Sequence, residues 1–163
     1  MKKQTAKLAL SALLVCLVVC FIFTNSLLNG EDSNRQSGLV MELLRKLLDP
    51  HHVVAEETFH YFVRKGAHFS EFGLLGVSLW LLIQSIKDRY GRSFPGVMLF
   101  AALAVAVTDE FIQSFTGRTS SVRDVLIDFS GALTAFALLF AIDVIRRKRH
   151  KEKENAAKEC GTE

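Results

Sequence analysis

Four apolar blocks, at roughly residues 8–28, 66–86, 95–115 and 125–145, alternate with polar segments along the chain. Each is about twenty residues long, which is what a helix needs to cross a hydrocarbon core. The pattern predicts an all-α membrane protein, a bundle of four transmembrane helices. The first block follows Lys2, Lys3 and Lys7. It is longer than a secretory signal core and no A-x-A-like site follows it, so it is expected to be an uncleaved anchor. Pro95 suits the first turn of the third helix, where its missing N–H costs nothing. Between the first two blocks, Val40, Leu43, Leu44, Leu47 and Leu48 recur at helical spacing, with Glu42, Arg45, Lys46 and Asp49 on the other face. This predicts an outer amphipathic helix in the first loop, ended by Pro50. Such a helix lies on the membrane interface or packs over the mouth of the bundle. Phe59, Tyr61 and Phe62 fall where an interfacial aromatic belt is expected.

Charge orients the blocks. Thirteen of the 20 Lys and Arg residues fall before the first block, between the second and third, and after the fourth. The positive-inside rule then puts both termini in the cytoplasm and the first and third connections outside. A plasma-membrane protein results, with a transmembrane domain over 8–145 and a charged cytoplasmic tail over 146–163. Half of the 163 residues are hydrophobic, which excludes a disordered chain. The net charge of +3 is modest and the basic residues sit at block ends, which argues against nucleic acid as a partner. Three scattered cysteines make no disulfide scaffold. Cys16 and Cys20 share a helix face and are expected to pack as small hydrophobes.

The chemistry is concentrated at the outer end. Lys65, His68 and Glu71 are three apart at the start of block two and share a face. Asp109 and Gln113 are four apart at the end of block three. Glu110 points about 100° away from Asp109, so at most one of these acids turns inward with Gln113. The next connection carries Arg118, Ser120, Ser121, Arg123 and Asp124, and Asp128 follows one turn into block four. All these groups share one depth. An ionised carboxylate in a span costs several kcal/mol unless paired or wetted, so one outward polar pocket is expected. In it Lys65, Arg118 and Arg123 offset Glu71, Asp109, Glu110, Asp124 and Asp128. Gly73, Gly76 and Gly131 would let the helices approach closely beneath it.

Several roles stay open on sequence alone. His68 reads as a histidine that closes the bundle by hydrogen bonding, as a proton-transfer group, or as a metal ligand with the neighbouring acids. Ser121 with Asp124 reads as a capping arrangement before a nucleophile. Arg118 and Arg123 either clamp a phosphate or carboxylate or neutralise the adjacent acids. No nucleotide, haem or flavin motif is visible, and the only cofactor suggested is a divalent metal at the His/acid cluster.

The segments KGAHFSEFGLLG, TDEFIQSFTGR and SSVRDVLIDFSGA resemble the motifs of the VanZ-like membrane proteins. That pattern has a His and a Glu at the start of one span, D-E-x-x-Q at the end of the next, then G-R and D-x-x-x-D-x-x-G. Thr24-Asn25-Ser26 and the Ser-containing run after it match the family more loosely. The resemblance covers about residues 8–145. It implies a multi-pass bacterial envelope protein linked to teicoplanin-type glycopeptide resistance, and names a phenotype without a reaction. A pocket at interface depth suits an amphiphilic ligand such as a lipid-linked cell-wall precursor or a lipoglycopeptide. Lys65, Glu110, Gln113, Arg118, Arg123 and Asp124 would bind it, and His68, Glu71, Asp109 and Asp128 would carry any proton transfer. The alternative is a non-catalytic accessory or antibiotic-sequestering module. An ion-coupled carrier is disfavoured, because the inner halves of the spans carry almost no polar groups.

Overall fold

The computed structural model describes residues 2–27, 42–49, 53–116 and 120–160. Every regular element among them is helical: α1 (Lys2–Leu27), α2 (residues 42–48), α3 (Glu56–Tyr90), α4 (Pro95–Ser114) and α5 (Val122–Cys160). The four longer helices are long and apolar enough to cross a membrane. They coincide with the four sequence blocks, but three overrun them, α1 by starting at Lys2. α3 begins ten residues before Gly66, with Glu56 and Glu57 in its first turn, where carboxylates favour the helix dipole. α5 runs on past residue 145 into the charged tail without a break. The tail is rich in Lys, Arg, Glu and Ala, all good helix formers, and an Asp143–Arg147 pair at 2.8 Å bridges the junction.

α3 stops at Gly91, whose left-handed φ of 68° is free of strain only for glycine, and whose N–H returns to the Lys87 carbonyl. Pro95 then opens α4 after a short connection. α1 runs antiparallel to α3. Lys7 pairs with Asp88 at 2.6 Å, and Arg89 donates to Thr5 Oγ1 at 2.7 Å. The core is Val18, Ile22, Phe72, Leu75, Leu79, Ala102, Ala106 and Ala132. Outward-facing positions are equally apolar: Leu10, Leu13 and Leu17 on α1, Val97, Phe100 and Phe111 on α4, and Leu126, Leu133 and Phe140 on α5 are exposed. A surface of this kind fits a lipid bilayer as the surrounding solvent. Cys16 and Cys20 belong to that surface and do not pack in the core, contrary to the expectation above.

The closest helix contact joins α3 to α5. A Cβ added at Gly131 would run into the Phe69 carbonyl, and one at Gly76 into that of Ala132. At Gly73 the nearest atom would be an ordinary 3.8 Å away, so only two of the three expected glycines are needed for the approach. Gly131→Ala is therefore expected to destabilise the bundle by about 1–3 kcal/mol through overpacking, and Gly73→Ala by far less. Thermal unfolding of the purified protein in micelles measures this, and equal midpoints for the two variants would contradict it.

α2 turns part of its polar face toward the chain. Leu43, Leu47 and Leu48 are exposed and do not pack on the bundle. Arg45 and Asp49, from the polar face, are the residues engaged with the chain. The Arg45 guanidinium lies 5.3 Å from the Phe59 ring centre and donates to the Val54 carbonyl at 3.1 Å. The buried Asp49 carboxylate accepts the Val53 and Val54 backbone N–H groups at 2.8 and 3.1 Å, fixing the turn into α3. Val40 and Pro50 lie outside the described residues.

Candidate functional site

The end of the bundle where α1 and α4 finish and α3 and α5 begin carries the polar groups. α4 brings Asp109 and Gln113 to one face, one turn apart, and Gln113 Nε2 donates to Asp109 Oδ2 at 2.7 Å. From α1, the Ser26 hydroxyl donates to Asp109 Oδ1 and accepts from Gln113 Nε2 at 3.3 Å. Asp109 is completely buried, with Ser26 and Gln113 almost so. These bonds meet the rule that a buried polar group must find partners. They also fix the carboxylate's orientation.

His68 on α3 faces this acid and a second one from α5. Its Nδ1 lies 3.9 Å from Asp109 Oδ2 and 3.7 Å from Asp128 Oδ1. Asp128 is 1% exposed. One ligating atom from each of the three residues lies within 4.8 Å of the others. The imidazole side chain is 13% exposed, so the cluster reaches the surface through His68. An imidazole held between two carboxylates can carry a proton or help to hold a cation.

Three further contacts surround this centre. Lys65 pairs with Asp124 at 2.6 Å, both side chains mostly buried. Glu71 accepts from Asn25 Nδ2 at 2.9 Å, so this acid is tied to α1 and is not one of the three clustered groups. Glu110 is buried beside Asp109 although the two differ by about 100° around the helix. That corrects the expectation that only one of them turns inward: Glu110 Oε2 accepts the Ser121 backbone N–H at 3.0 Å, anchoring the start of α5.

Ser121 caps α5 as expected, its Oγ accepting the Arg123 N–H at 3.1 Å. The reciprocal half of a capping box is replaced, since Glu110 takes the Ser121 N–H and Asp124 turns to Lys65. Arg123 itself is exposed and is not gathered into the site. Arg118 lies outside the described residues. Asn25 and Ser26 were visible only as part of a loose motif. The usable signal was a Thr-Asn-Ser run in the last turn of an otherwise apolar helix, at the depth of the other polar groups.

The Lys65–Asp124 pair ties the start of α3 to that of α5, and its interaction is measurable. A double-mutant cycle with Lys65→Ala and Asp124→Ala is expected to give a coupling of about 1–3 kcal/mol, as for contacting, mostly buried charges. A coupling near zero would mean that the pair does not hold.

Known proteins bear on this geometry through one comparison. A family model described as VanZ/LLP1 matches residues 11–144, a range that contains every residue of the cluster. No curated protein and no solved structure matches the chain.

Proposed function

The chain belongs to the VanZ/LLP1 family, and from that membership we propose that it is a bacterial envelope protein whose His68/Asp109/Asp128 centre binds, or acts on, an amphiphilic cell-envelope ligand. The observation that carries this reading is the convergence of an imidazole and two buried carboxylates from three helices at one end of an otherwise apolar bundle. Buried acids are costly in such surroundings, and groups kept at that cost mark functional sites in membrane proteins. The distribution of Lys and Arg supports cytoplasmic termini in the plasma membrane and a site that faces outward. At that depth a ligand keeps its tail in lipid and brings its headgroup to His68. A lipid-linked cell-wall precursor or a lipoglycopeptide of the teicoplanin type has this build. The charged tail after residue 145 then lies in the cytoplasm.

The test is teicoplanin susceptibility of a bacterial host expressing the chain. Wild type is expected to raise the inhibitory concentration. His68→Ala and Asp128→Asn are expected to abolish the gain at unchanged membrane abundance. Full protection by both variants would overturn the reading.

A second reading, a non-catalytic accessory or sequestering module, is favoured by one feature. Both Asp109 oxygens already accept hydrogen bonds from Ser26 and Gln113, as in an acid that serves the fold. In that case Asp109→Glu keeps most of the protection. A proton-transfer role would lose it, because moving the carboxylate by one methylene spoils its distance to His68.

A further inference from the structure

We infer that His68, Asp109 and Asp128 hold a divalent transition-metal cation of the Zn²⁺ class, bound through His68 Nδ1 and one oxygen of each carboxylate. The donor set is one imidazole nitrogen and two carboxylate oxygens, a combination that suits borderline divalent ions. The distances fit. Ligands in a tetrahedral Zn²⁺ site are separated by about 3.4 Å when the bonds are about 2.1 Å. Nδ1 stands 3.7 and 3.9 Å from the two carboxylates and the three ligand atoms lie within 4.8 Å of one another, so side-chain shifts of roughly an ångström close the site.

Charge and hydrogen bonding lead to the same place. Among the described residues, two buried carboxylates face one imidazole, and Lys65 is already paired with Asp124 at 2.6 Å. A dication balances both acids where an imidazolium balances one. Ser26 and Gln113 hold Asp109 in a fixed orientation, the supporting role that outer-shell groups play around metal ligands. Within the cluster, Asp128 Oδ2 is buried with no hydrogen-bond partner among the described residues. A buried acceptor that lacks a donor is the expected sign of a group completed by something other than the chain. Three protein ligands leave a coordination position toward the His68 opening. A water or a phosphate or carboxylate oxygen of a headgroup would occupy it.

The inference rests on reading this cluster as the working centre of the protein. Its test uses purified full-length protein in nanodiscs, stripped with chelator and titrated with Zn²⁺ by calorimetry, with X-ray absorption at the zinc edge. The expected result is one equivalent bound, in a shell of nitrogen and oxygen without sulfur. His68→Ala and Asp128→Asn should each weaken binding at least about 100-fold, and Gln113→Ala by about 10–100-fold, as outer-shell changes do. His150→Ala, on the exposed part of α5 about six turns beyond Asp128, should bind as wild type. Circular dichroism confirms that each variant is folded. Absence of stoichiometric binding, or wild-type affinity in folded His68→Ala, would overturn the inference. If Zn²⁺ fails to bind yet Asp128→Asn abolishes protection in cells, the metal falls and the proposed function stands. If Zn²⁺ binds and protection is indifferent to both variants, the reverse holds.

Discussion

Asp109→Ala is expected to be the most destabilising single substitution at the site end of the bundle, costing about 3–5 kcal/mol, the range for removing one partner from a buried charged network. Asp109 receives the Ser26 hydroxyl from α1 and the Gln113 amide from its own helix, and it faces His68 on α3. Truncation strands all of these in an apolar interior, and each stranded group costs about 1–3 kcal/mol. Ser26→Ala deletes a single donor and is expected to cost only about 1 kcal/mol. Thermal unfolding in micelles ranks the two. Hydrogen exchange should also show the last turn of α1 opening in Asp109→Ala, since Ser26 ties that turn to α4. Equal midpoints for Asp109→Ala and Ser26→Ala would remove Asp109 from its place as the joint of the bundle.

Asp128→Asn should behave oppositely, with the fold kept and the function lost. The substitution preserves shape, and no hydrogen-bond donor among the described residues contacts Oδ2. What it removes is the negative charge opposite His68 at 3.7 Å. Protection against teicoplanin is expected to fall by about tenfold or more, since 1.4 kcal/mol of lost interaction is already tenfold. The double variant His68→Ala/Asp128→Asn should be no worse than either single, because groups that act as one unit are not additive. The inhibitory concentrations of hosts expressing the three variants, at matched membrane abundance, check this. Additive losses would mean that the two residues work separately.

The spans were legible because their signal is a length. Twenty apolar residues have few other homes, and no tertiary contact is needed to read them. The polar end was legible for a related reason: an acid within a span is costly enough that several at one depth must be gathered. The partners were not legible, because they depend on connections whose shape the pattern leaves open. Glu110 turns inward only because the start of α5 presents the Ser121 N–H to it. Arg123 stays exposed, although its spacing beside Asp124 suggested a counter-charge, since Lys65 reaches Asp124 first from the neighbouring helix. In α2 the pattern defines an apolar stripe without fixing which way it faces. Arg45 and Asp49 fix it by bonding to the backbone just before α3, which leaves Leu43, Leu47 and Leu48 outward. Ser26 and Asn25 carry little signal in the sequence, because a hydroxyl or an amide near a helix end is ordinary until the acid it meets is known.

The meeting of α1, α3, α4 and α5 at one buried point is tested most directly by paired cysteines in a background without Cys16, Cys20 and Cys160. His68→Cys with Asp128→Cys, and Ser26→Cys with Gln113→Cys, should each be bridged by a short bis-methanethiosulfonate cross-linker in native membranes, a span suited to pairs whose native contacts run between side-chain ends. Val97→Cys with Leu126→Cys, which sit at opposite ends of the bundle, should not. Failure of both close pairs to cross-link, with the distant pair equally unreactive, would show that these side chains do not share a site.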